Sequence, residues 1–124
     1  MEISQFLKSV IDADTAPVVI CNLQHDIIYM NPCAIERYAY SGGAALIGKS
    51  IFDCHNEKTN EMIKRVVAWF AESTEHNIIH TFKNKKENKD VYMVALRNEE
   101  KHLIGYYEKH EYRTAETADL YNFS

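Results

Sequence analysis

Apolar residues recur at two periods along this chain, and the switches between them mark out its elements. Ile3, Phe6, Leu7, Val10 and Ile11 fall at i, i+3, i+4, i+7 and i+8, which makes one stripe on an amphipathic helix over residues 3–13. Such a stripe has to cover something, either the domain itself or a second copy. Thr15-Ala16-Pro17 stops the period, because the residue before a proline is biased toward extended geometry. VVICNL (18–23) and IIYMN (27–31) then predict two strands, joined by the short polar link Gln24-His25-Asp26. Asn31-Pro32 predicts a helix entry, with Asn31 as cap and Pro32 at the first helical position. CAIERYAY is the short helix that follows; Ser41-Gly42-Gly43 interrupts it, and AALIGKSIFDC is a second short helical or turn region.

The longest helical pattern runs from Asn56 to about Glu72. Asn56 can cap it, Glu57 suits the positive helix start, and Met62, Ile63, Val66, Val67 and Phe70 form its apolar stripe. The last third reads as sheet: NIIHTFKN (77–84), DVYMVALR (90–97) and HLIGYYEKHEYR (102–113) are rich in β-branched and aromatic residues. The polar breaks KKENK and NEEK suit two successive hairpins, and residues 114–124 have little pattern. The predicted organisation is an N-terminal helix over 1–14, one domain over 15–113 and a tail over 114–124. Two early and three late strands can form one antiparallel sheet with the middle helices on one face, an α+β architecture. An apolar pocket between helices and sheet is where a small ligand would bind.

Composition narrows the function. A chain of 124 residues with 46% apolar and 26% charged residues suits one globular domain. A formal charge of −4 argues against nucleic-acid binding, which needs a positive footprint. Cys21, Cys33 and Cys54 are odd in number and irregular in spacing, so reduced thiols are the simpler reading than a disulfide framework. No apolar run is long enough for a signal peptide or a bilayer span. A cytoplasmic protein without membrane association is therefore expected. No nucleophile–base pair, P-loop, dinucleotide fingerprint or zinc spacing is visible, so no enzyme activity is expected.

The stretch NPCAIERYAYSGGAALIGKSIFD (31–53) resembles the segment of a PAS domain that runs from its second strand through its short helices. The resemblance covers roughly residues 16–112 and implies a PAS fold, with a five-stranded antiparallel sheet and helices on one face. A narrower likeness lies at His55-Asn56-Glu57-Lys58-Thr59. It is similar to the haem-bearing PAS domain of bacterial carbon-monoxide-responsive transcription regulators, where the histidine opening the long helix is the lasting axial ligand. Carried over by position, it makes His55 an iron ligand and b-type haem the expected cofactor. The chain departs from that pattern on the next strand, where Ile79 or His80 stands opposite the family's displaceable methionine, in its shorter helix-to-strand connection, and in lacking a DNA-binding segment after the domain. In oxygen-sensing PAS domains the haem histidine lies further along the long helix, where Met62 stands here.

The resemblance and the residues together name the candidates. A neutral imidazole at His55 suits iron, with its second ring nitrogen oriented by a carbonyl or carboxylate. Val66, Val67 and Ile78 would wall the pocket. Ile78, His80 and Phe82 share one face of their strand, as do Val91, Met93 and Ala95 of the next. If those faces point inward, His80 or Met93 is the second metal ligand, whereas the plain reading makes Met93 core filler and His80 a surface residue. Cys54 is either a thiolate ligand or a small buried side chain. Cys21 and Cys33 read as packing, His25, His76, His102 and His110 as solvated, and KNKKENK as a hairpin tip. Three functions follow: a sensory domain whose haem answers CO, NO, O2 or redox state; an apo module that dimerises or docks on a signalling partner; and a pocket for another small organic ligand.

Overall fold

A computed structural model describes residues 2–124. The chain order is α1 (Ile3–Ala13), β1 (Val19–Asn22), β2 (Ile27–Met30), α2 (Pro32–Arg37), α3 (Glu57–Glu72), β3 (Ile78–Asn84), β4 (Lys89–Arg97) and β5 (Leu103–Tyr112). Between α2 and α3 the chain makes three single 3-10 turns, Ala39–Ser41, Gly43–Leu46 and Ile51–Cys54. The helix predicted through Tyr40 ends at Arg37, and the 3-10 turn after it stops at Gly42 and Gly43, whose φ of +126° and +55° other residues rarely adopt.

The five strands form one antiparallel sheet in the order β2-β1-β5-β4-β3. The last strand is thus central, between the first hairpin and the second. Its inner face carries Cys21 of β1, Met93 of β4 and Tyr106 of β5, and Ile63, Val66 and Phe70 of α3 complete the core above them. The free edge of β2 is covered by residues 48–51, whose backbone bonds to His25 and Ile27. No helix among the described residues is long and apolar enough to cross a membrane.

Asn31 ties three elements together. It is fully buried and uses its whole amide. Oδ1 accepts from the backbone N–H of Ala34, which caps α2, and from that of Val18, each at 2.9 Å. Nδ2 donates to the carbonyls of Ile11 and Ala16, each at 3.0 Å. The cap legible in the sequence is therefore half of its role.

Two arginines fix the rest. The last carbonyls of a helix have no partner within it. At the end of α3, Arg97 Nη2 donates to the carbonyls of Phe70 (2.8 Å), Ser73 (3.1 Å) and His76 (3.2 Å), bringing positive charge to the negative helix end. Arg37 of α2 makes a bidentate pair with Glu87 in the β3–β4 turn, at 2.8 and 2.6 Å. The run KNKKENK forms the hairpin tip that the sequence suggested, but one of its lysines is not solvated. The Lys89 side chain is buried, its Nζ 3.5 Å from Glu87 and over the Tyr112 ring.

The Arg37 hydrogen bond pushes the Glu87 carboxyl down to about 2, helped by Lys89 and opposed by burial. A depressed carboxyl pKa gives stability that is present above the unfolded value of 4.5 and is lost as pH falls toward about 2. Thermal unfolding between pH 5 and pH 2 is expected to show a shallower acid loss in Arg37→Gln than in the unaltered protein. The two curves should converge near pH 2, and parallel curves would contradict this.

Candidate functional site

The inner face of the sheet does not fill completely. A cavity of about 290 Å³ lies between it and the 3-10 turns, lined by Val19, Cys21, Met30, Leu46, Ile63 and Met93 among others. Strand register sets its floor. Met93 sits between Ile79 and Glu108, Ala95 is opposite Tyr106, and Val91 is opposite His110. Residues directly opposite in a ladder share a face. Tyr106, Glu108 and His110 therefore all point to the cavity side, and Tyr38, Tyr40 and Ser41 form its far wall.

Polar groups gather at two ends. At one, Tyr106 Oη lies 2.8 Å from His25 Nδ1, with the His25 ring against Phe52. Burial lowers the His25 pKa and raises that of the Tyr106 phenol, so a neutral imidazole accepts the phenol proton. Cys21 beneath them is a thiol, pushed up to about 11 by burial. At the other end, His110 Nε2 is 3.3 Å from a Glu108 carboxylate oxygen. The His110 side chain is only 5% exposed, and its Nδ1 is buried with no partner.

A model of the PAS domain family matches residues 15–108. The chain belongs to the PAS family. Solved structures agree on the fold. A C-terminal domain from Streptococcus mutans has TM-score 0.67 and 16% identity, over 90% of this chain and 84% of that one. A PAS domain of a protein from Colwellia psychrerythraea has TM-score 0.65 and 18% identity, over 89% and 96%. An RNA-binding light-oxygen-voltage receptor has TM-score 0.59 and 11% identity, over 88% of this chain and 32% of that one. At these identities the likeness is one of fold alone. A comparison with curated proteins returns no match.

The PAS domain separates the residues expected to act together. His55 follows the third 3-10 turn, is exposed, and lines the mouth of the cavity. Its Nδ1 donates to the Ile51 carbonyl at 2.9 Å, which leaves Nε2 bare. Met93 is buried in the floor, as one of the two candidate second ligands. His80 is not in the cavity. It lies on the outer face of β3, 48% exposed, and pairs with Asp90 at 3.0 Å. Ile78 shares that outer face, so it is no pocket wall, and it is Ile79 that packs inward; beyond the bulge Phe82 stands opposite Val91, exposed at the sheet edge. Val66 is in the core and Val67 beside it, but α3 reaches the cavity through Ile63.

Other residues also differ from expectation. Cys54 is exposed at the mouth, not buried, because a 3-10 turn leaves it outside the helix–sheet seam. His76 stacks on Trp69 at 4.0 Å, and His25 and His110 are packed; of the four histidines expected in solvent, His102 is the exposed one. His110 and Glu108 were legible by period two from Tyr106.

A b-type haem meets this site unevenly. A histidine with one ring nitrogen on a carbonyl and the other free is well prepared as an axial ligand. The macrocycle is the difficulty. An apolar cavity of ~150 Å³ takes benzene, so a cavity near 290 Å³ suits two fused rings. It does not enclose a porphyrin as it stands. Among the described residues no three His, Cys, Asp or Glu side chains gather as a metal site.

Proposed function

We propose that this PAS domain is a sensory module that binds a compact small organic ligand between its sheet and its 3-10 turns, without catalysing a reaction. The observation that carries this reading is the cavity, roomy yet apolar on its floor and polar at its ends. Sites of this kind are the usual places for small molecules, which the few polar groups orient. Occupancy has a physical route outward. Met30 lines the cavity, and the next residue, Asn31, holds the end of α1 through Ile11. The exposed apolar face of α1, with Ile3, Phe6, Leu7 and Val10, is the surface offered to a signalling partner or to a second copy in a homodimer. Ligand changes that contact only as far as it binds the two arrangements unequally. The free, partly exposed thiols accord with a reducing, cytoplasmic setting.

A b-type haem on His55 is the second reading, favoured by the Nδ1 bond that leaves Nε2 bare. It requires the Tyr38–Ser41 wall to open, and a response to CO, NO, O2 or redox state belongs to it alone. Native mass spectrometry and a visible spectrum of freshly purified protein separate the two. The expected result is a low-mass adduct released on denaturation, without a Soret band. A Soret band lost in His55→Ala would favour haem. Absence of any adduct, together with failure to bind compact aromatic probes, would overturn ligand binding and leave the apo module.

A further inference from the structure

Resting on the ligand-binding reading, we infer that the cavity selects ligands by a hydrogen-bond donor: a neutral, compact aromatic molecule whose hydroxyl or N–H bonds to His110 Nδ1. A buried polar atom without a partner is costly, and native structures rarely leave one so unless something else satisfies it. His110 Nδ1 is such an atom, on a side chain 95% buried that lines the cavity, and a donor bound there reaches it once the ring turns toward the ligand.

The direction of that bond follows from the neighbour. Glu108 as a carboxylate can only accept, so the His110 nitrogen facing it at 3.3 Å carries the proton. Nδ1 of the neutral ring is then a bare lone pair and must accept. The Tyr106 hydroxyl is already engaged with His25. The hydroxyls of Tyr38, Tyr40 and Ser41 can act either way. Glu108 and His110 are therefore acceptors at that end of the cavity, and neither welcomes an anion. The carboxylate and the chain's net charge of −4 both oppose a negatively charged ligand. The volume sets the body of the ligand at about two fused rings.

The test uses three bicyclic probes of nearly one size: indole, which donates; benzothiophene, which has no strong donor or acceptor; and quinoline, which only accepts. Binding to the full chain is followed by titration calorimetry and by amide shifts of the cavity residues. Indole is expected to bind about tenfold tighter than benzothiophene, the equivalent of one net hydrogen bond near 1.4 kcal/mol. Quinoline should gain nothing over benzothiophene. His110→Leu should abolish the indole preference while benzothiophene still binds. Glu108→Leu, at a half-exposed position, should weaken the preference without removing the imidazole.

Equal binding of indole and benzothiophene overturns the inference but leaves the ligand-binding reading intact. So does a preference for quinoline, which would place the proton on Nδ1, and so does an indole preference that survives His110→Leu. Binding of none of the probes removes the inference, and together with the absence of a native adduct it removes ligand binding as well.

Discussion

Asn31→Ala is expected to lose about 3–5 kcal/mol of stability, lowering the unfolding midpoint by roughly 10–20 °C for a domain of this size. Alanine leaves three backbone groups without partners, the N–H of Val18 and Ala34 and the carbonyl of Ala16, and takes one of two donors from the Ile11 carbonyl, which keeps the Asp14 N–H at 3.3 Å. Each unsatisfied buried group costs about 1–3 kcal/mol, partly recovered by entering water. A lost helix cap alone would cost about 1 kcal/mol. The excess over that figure measures the link between α1, β1 and α2. Asn31→Asp tests the other half of the amide, because it keeps the acceptor and turns oxygen toward the carbonyls of Ile11 and Ala16. It should be nearly as damaging at neutral pH. Urea unfolding followed by circular dichroism checks both, and a loss no greater than 1 kcal/mol in either variant would refute the clamp.

Gly105→Ala should be almost as harmful, at about 3 kcal/mol. Gly105 of β5 pairs with Asn22 of β1. A Cβ there would stand 2.3 Å from the Cys21 carbonyl oxygen and 3.4 Å from the Asn22 Cα. The obstacle is backbone, not a side chain that can turn away. Accommodation requires β1 and β5 to separate where the first hairpin joins the sheet. Because that hairpin supplies Val19, Cys21 and Met30 to the cavity, the variant should also lose probe binding. The same urea experiment and an indole titration check this; unchanged stability would mean the strands part freely.

How far the sequence foretold this molecule depends on what kind of information each feature needs. Element ends were legible because their causes are local. Asn31 and Pro32 open α2, Asn56 opens α3 by accepting from Thr59 at 2.8 Å, and two glycines break the intervening segment. The helix-covered antiparallel sheet follows from element order. Facing on β3 was not legible. Period two relates Ile78, His80 and Phe82 to one another but does not say which side is inward. At this edge strand Ile78 lies outside, and a bulge between His80 and Phe82 shifts the alternation so that Phe82 stands opposite Val91. Strand order is also non-local, since nothing near Val19 in the chain announces that β5 will lie beside β1. The His55 segment shows a third limit. His55 was expected to open the long helix and face the pocket, but its exposure depends on how far the preceding 3-10 turn projects beyond the sheet. His110 was missed for a different reason. A charged-looking strand end suggested solvent, whereas its alternation with the buried Tyr106 already placed it on the inner side.

β5 is a partition between two hollows. Tyr106, Glu108 and His110 look into the cavity, while Tyr107, Lys109 and Glu111 look out onto the groove beneath Val10 and Ile11 of α1. A strand shared in this way cannot twist for one room only. On the proposed reading, a ligand that favours one twist of β5 would shift the outer row with it, and by thermodynamic reciprocity a contact outside would alter how firmly that ligand is held.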